Sequence, residues 1–248
     1  MNKYEMTEET MSYHGCTLRR IRALIDMLDE NGEVEIHAGE LGGWIESESN
    51  LEQDGGCWVC SGAIVCDGAR VRENARVCDA ATIFGNALVC EDAVVRDGAS
   101  VSGDAMISGN ALVSGHAAVR GDAWVSDDAT VSGDAVVCDS AFVLSNATVS
   151  SYACVSGNAV ITRDAVVTQN DHYLTIGLSE DDDNRITFTR NAAGTIQVRF
   201  AYWFESLLSF RDWVERKYGN TKHGKVLQAA VDLAELYIDT TPIKEAYL

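Results

Sequence analysis

Between Gly56 and Gln169 one six-residue pattern repeats nineteen times without a break: a small or turn-forming residue, Ala, a variable residue, Val or Ile, a second variable residue, a turn former. The aliphatic slot starts at Val59, Val65, Val71, Val77 and Ile83 and continues in steps of six to Val167. Slot two is Cys57 and then Ala in every unit from Ala63 to Ala165. So short and strict a period specifies coils stacked on one another, not a globular αβ domain. The β-branched slot favours extended backbone on a pleated surface. Gly, Asn and Asp at the corners, as in Gly85-Asn86 and Gly103-Asp104, accept turn conformations at little steric cost.

Strand, corner, strand, corner predicts a left-handed parallel β-helix with three sides and eighteen residues per coil. A second pattern supports the same period. Every third corner reads Asn74, Asp92, Asn110, Asp128, Asn146, Asp164, an alternation of amide and carboxylate. Coils stack about 4.8 Å apart, where an unbroken Asp column repels itself and an intervening Asn can donate to the carboxylates above and below. Nineteen hexads predict about six coils, roughly 30 Å of stack.

The two ends break the pattern and divide the chain into three segments. Residues 1–43 form an N-terminal β-strand cap, with strand character in Thr17–Ile25 and Val34–Ile36 and a turn at Asp29–Gly32. Residues 44–169 form the β-helix, which Trp44-Ile45 begins and plugs. Residues 170–248 form a C-terminal cap of strands at 172–177, 185–190 and 195–200 followed by two amphipathic helices. The first helix carries Leu207, Leu208, Phe210, Trp213, Val214 and Tyr218 and is closed by Gly219; the second carries Val226, Leu227, Ala230, Val231, Leu233, Ala234 and Tyr237. Glu180–Asn184 reads as a solvated acidic loop.

Two flanking phrases carry a resemblance. Gly39-Glu40-Leu41-Gly42-Gly43-Trp44-Ile45-Glu46-Ser47 ahead of the array, and Tyr173–Gly177 leading into Ile186-Thr187-Phe188 behind it, resemble the YdcK-type hexapeptide-repeat proteins of bacteria and their phages. The resemblance implies a left-handed β-helix with terminal caps and brings no catalytic residues with it.

With a net charge of −19 and no apolar run near ~20 residues, neither non-specific nucleic-acid binding nor a membrane span is expected, and the chain reads as cytoplasmic. Of the eight cysteines, Cys57 and Cys60 form a CxxC with no second pair or Cys-x-x-His, so no metal site is expected. The array cysteines read as reduced strand-face residues, although Cys60 and Cys78 stack one coil apart and can bridge if oxidised.

Three functions compete. The favoured one is a non-catalytic, oligomeric scaffold or binding module without cofactor. The residues preceding the aliphatic slot on one side are Arg70, Leu88, Met106, Trp124, Phe142 and Val160, with Leu144 beside them. An outward apolar stripe of this kind marks a contact, made either with the terminal modules or with another copy; self-association is favoured, as a homotrimer. The second reading is an acyltransferase using acetyl-CoA. It has one base to offer within the array, His116, with Asp134 a coil above to orient it. The third is a phage protein that sequesters a small anionic nucleotide between subunits, motivated by Arg70, Arg72, Arg76 and Arg96 on the early coils.

Overall fold

The computed structural model describes residues 2–28, 31–177, 185–201 and 203–243. Each hexad forms one two-residue strand, from β6 (Trp58–Val59) to β24 (Val166–Val167). Every third strand is hydrogen-bonded in parallel: Thr82 lies beside Ile64 and Ser100, Leu88 beside Arg70 and Met106, Val94 beside Arg76 and Leu112. The chain is therefore a three-sided parallel β-solenoid with eighteen residues per turn. The Val/Ile slot and the Ala slot are fully buried along the whole array. Burying each Val or Ile contributes roughly 1.5–3 kcal/mol on an area basis.

The stack has about seven turns, not six. β5 (Leu41–Ile45) lies parallel to Ile64–Val65, and Leu51 bridges Val71, so a turn precedes the first hexad. Ile45 and Leu51 occupy its inner slots, both at 0% exposure. Extra residues around Asp54-Gly55 lengthen the next corner and put this turn out of phase with the array, which hid it from a count of hexads.

Corners are held by two ladders. In one, an acidic residue in the left-handed region accepts the backbone N–H one rung on: Asp97 (φ 61°) from Gly115 at 3.0 Å, Asp139 (φ 59°) from Gly157 at 2.8 Å. Short polar side chains tolerate this conformation best. The other ladder is the alternating column, where Asn74 donates to Asp92 at 3.0 Å and Asn110 to Asp128 at 2.9 Å. Each of these amides serves the carboxylate on the following rung rather than both neighbours. The column ends on Asp164, which accepts from Gln197 at 2.7 Å.

At the N-terminal end, β1 (Tyr4–Tyr13) and β2 (Cys16–Ala23) form an antiparallel hairpin, and β2 continues onto β5 with Arg20 opposite Trp44. β1 was not expected from the sequence, because its Glu- and Thr-rich run is polar; it is the charged outer edge that such a sheet needs. β3 (Met27–Leu28) and β4 (Val34–Ile36) pair beside it. A Cβ at Gly43 would run into the carbonyl oxygens of Cys60 and Ala63, and one at Gly42 would lie 2.7 Å from Ile21, Trp58 and Val59. The two glycines thus let the chain cross closely over the first full turn. Trp58, 1% exposed, fills the end of the core together with Tyr4, whose hydroxyl donates to the Leu51 carbonyl at 2.7 Å. Trp44, expected as the plug, stays half-buried on the side.

At the other end, β25 (Tyr173–Gly177), β26 (Arg185–Arg190), β27 (Ile196–Phe200) and β28 (Trp203–Ser206) form an antiparallel sheet in chain order. The fourth strand was not expected. α1 (Leu207–Tyr218) and α2 (Lys222–Tyr237) bury Phe210, Val214, Leu227 and Val231 against Ile186, Phe188 and Val198. Ser206 and Thr221 cap the helix N-termini, and Gly219 (φ 48°) ends α1 as its position predicts. Asn191 bridges Ala165, which sets the sheet on the last turn. Glu180–Asn184, read as an acidic loop, lies outside the described residues. No helix among the described residues is long and apolar enough to cross a membrane.

Candidate functional site

Because the interior of the array from Val59 onward takes only Val, Ile and Ala, chemistry is left to the faces, the corners and the two ends. On one face Arg70, Leu88, Met106, Trp124, Phe142 and Val160 occupy successive rungs, as the eighteen-residue period requires. Trp124 is 37% exposed, lies 5.9 Å from the Phe142 ring and donates its indole N–H to the Ser108 hydroxyl at 3.2 Å. Leu88, Met106, Phe142 and Leu144 are half-buried. Val160 is different: it is covered by the chain's own C-terminal sheet and donates its N–H to the Thr187 hydroxyl at 3.4 Å. The terminal module thus accounts for the last residue of the stripe and leaves the others open. Between sheet and face runs a groove of about 640 Å³, with Trp124, Phe142 and Leu144 on one wall and Arg185 and Arg199 on the other.

His116 and Asp134 stand on successive rungs of one corner, as the period predicts. The imidazole leans the other way. A Cβ on Gly98, one rung earlier, would lie 2.5 Å from His116 Nδ1, so the ring covers Gly98 instead of reaching for Asp134. His116 is exposed, and among the described residues no hydrogen bond or ion pair joins the two. The four arginines do not converge. Arg70 and Arg76 lie on different faces, Arg72 and Arg96 at different corners, and Arg76 is paired with Glu35.

A buried polar cluster that the sequence did not signal sits where the last turn meets the C-terminal module. His172 is 2% exposed and Arg190 1%. His172 Nδ1 accepts the Thr168 N–H at 3.0 Å, so the neutral ring carries its proton on Nε2. Nε2 lies 3.3 Å from Arg190 Nη1 and 3.9–4.0 Å from carboxylate oxygens of Asp171 and Asp239. Burial, and after it the guanidinium, lowers the His172 pKa, and the two carboxylates oppose that shift. Arg190 donates to the Asp239 and Thr241 carbonyls at 2.7 and 2.6 Å and pairs with the Asp239 carboxylate at 3.7 Å. Its Nη1 and Nη2 donate to the segment after α2 and its Nε to the Asn191 carbonyl at 3.4 Å, so the cluster holds that segment like a latch. A cleft of about 970 Å³ opens beside it, lined by Tyr152, Asn170 and Tyr237 among others. No spacing could have pointed to this cluster, because its members meet only through the docking of the module.

Cys60 and Cys78, on successive rungs with Cα atoms 4.6 Å apart, are joined as a disulfide where reduced residues were expected; neighbouring rungs place paired cysteines within bridging reach. Cys57, Cys66, Cys90, Cys138 and Cys154 are free, as is Cys16.

These features define a β-solenoid scaffold with a β hairpin at one end and an αβ module at the other. A family model described as "YdcK Beta solenoid repeat" matches residues 123–139, about one turn of the stack. The resemblance to YdcK-type repeat proteins therefore holds at the level of repeat and solenoid. No curated protein matches the chain.

Proposed function

We propose that this chain is a non-catalytic scaffold or binding module, a left-handed β-helix that self-associates as a trimer through the face carrying Leu88, Met106, Trp124 and Phe142. The observation behind this reading is the exposed Trp124 on a flat face whose neighbours in register are also apolar. A single exposed hydrophobe needs no explanation, but a column of them marks a contact. Rungs at the two ends of the stack are not open to another copy in this reading, because each end is covered by its own module. Large, rigid aromatic side chains at the centre of an interface usually carry most of its energy. Light scattering tests the reading: the wild type should have the mass of a trimer and Trp124→Glu that of a monomer. A wild-type monomer, or an unchanged mass in the variant, overturns it.

The non-catalytic part rests on the isolation of His116, which has no partner to orient it among the described residues, and on the commitment of His172 to Thr168 and of Arg190 to the segment after α2. Calorimetry with acetyl-CoA addresses the acyltransferase alternative. No heat of binding is expected, and heat that disappears in His116→Ala would establish the enzyme instead. The dispersal of Arg70, Arg72, Arg76 and Arg96 weighs against a nucleotide pocket built from them. A cytoplasmic site of action fits the acidic composition and is part of the same reading.

A further inference from the structure

Where the hairpin meets the first turns, three elements bring soft and hard ligands together. Cys16 opens β2, Glu46 follows β5, and Asp67 stands at the corner after Ile64–Val65. One ligand atom from each lies within 4.8 Å of the other two, and Cys16 Sγ is 3.8 Å from Asp67 Oδ1. The carboxylates are already oriented: Glu46 accepts the Asp67 N–H at 2.7 Å, and Asp67 Oδ2 accepts the Gly85 N–H at 3.1 Å. Orienting bonds of this kind are typical of metal-binding side chains.

A second observation comes from Cys66. The residue is 4% exposed, its thiol has no hydrogen-bond partner among the described residues, and it lines the same cavity of about 230 Å³ as Cys16, Asp67 and His14. Both thiols and Asp67 therefore line one cavity, with Glu46 beside them, and among the described residues neither Glu46 nor Asp67 has an ion pair.

We infer that Cys16, Glu46 and Asp67 form a site for a thiophilic divalent cation of the zinc class, with Cys66 as a fourth donor from the cavity wall. Thiolates select such metals, and carboxylates complete their coordination. On binding, each coordinating thiol releases its proton to solvent, and the thiolates and carboxylates together more than offset the charge of the dication, leaving the occupied site anionic. The ion would fasten the hairpin to the first two turns.

Co(II), added to the reduced full-length protein, is the reporter. A thiolate-to-cobalt charge-transfer band should saturate at one Co(II) per chain and be bleached by Zn(II). Cys16→Ser should abolish the band, whereas Cys66→Ser and Asp67→Asn should each weaken binding more than about tenfold. Cys138→Ser, far along the stack, should change nothing. Asn at position 67 tolerates the local φ of 55° and can still accept the Gly85 N–H, so this variant should fold; metal-free circular dichroism checks each protein. Zn(II) should raise the melting temperature of the wild type and leave that of Cys16→Ser unchanged. Absence of the band, its survival in Cys16→Ser, or its loss in Cys60→Ser, which would place the ion at the Cys57–Cys60–Cys78 group, overturns the assignment.

Discussion

At Gly43 a single methyl group would collide with two backbone carbonyls of the turn beneath, and backbone in a stacked rung has little freedom to move aside. Gly43→Ala should therefore destabilise the protein by about 1–3 kcal/mol, the usual range for overpacking, read as a lower urea midpoint. His172 makes a different kind of prediction. Its folded pKa is depressed, while the unfolded ring titrates near about 6.5. Between those two values the unfolded state binds more protons, so stability is complete above about pH 6.5 and declines as pH falls toward the folded value. Melting temperatures between pH 7.5 and 5 should show this decline. It should be shallower in His172→Asn, whose amide oxygen can still accept the Thr168 N–H; an identical slope in the variant would assign the effect to other groups. The Val/Ile and Ala slots could be read from the sequence residue by residue, because each is one of nineteen copies of the same environment. The burial of Trp58 could not, since its slot faces outward everywhere else along its column and only the end of the stack covers it.

At the scale of elements, corners and caps carry the local signals. Asn110 donates to Asp128 on the following rung. Asn110→Asp places like charges at strand spacing and should cost about 0.2–1 kcal/mol at low salt, with the loss shrinking as salt is added. A loss independent of salt would mean that the amide supports the corner by geometry alone. In the C-terminal module, the Thr221 hydroxyl accepts the Gly224 N–H at 3.1 Å. Thr221→Ala should cost about 1 kcal/mol and Thr221→Ser or Asp much less, as measured by thermal denaturation. Both helices were legible from their apolar stripes and from Gly219, but Leu208, Val226, Leu233 and Tyr237, read as part of those stripes, are exposed. β28 and β1 were not: one is a short strand directly ahead of a helix, and the other is a polar outer edge whose alternation is masked by charge.

For the whole molecule, the eighteen-residue repeat is a symmetry that deletions can test. Removing residues 103–120 takes out one full turn and returns every later side chain to the face it left. This variant should fold, keep its self-association and show a smaller urea m-value, since less surface is exposed on unfolding. Removing only 103–108 keeps the core pattern but rotates everything beyond by one face. Trp124 then no longer lies in register with Leu88, and self-association should be lost; equal masses for the two deletions would show that the stripe is not the contact. The sequence by itself determined the solenoid, its three sides and the inward register, because those contacts recur with translation and each rung repeats the evidence of the last. The three-dimensional structure alone decided the seventh turn, the cover over Val160, the His172–Arg190–Asp239 latch and the meeting of Cys16 with Glu46 and Asp67. Each of those contacts occurs once, between segments far apart in the chain, and a contact without repetition leaves no period to read.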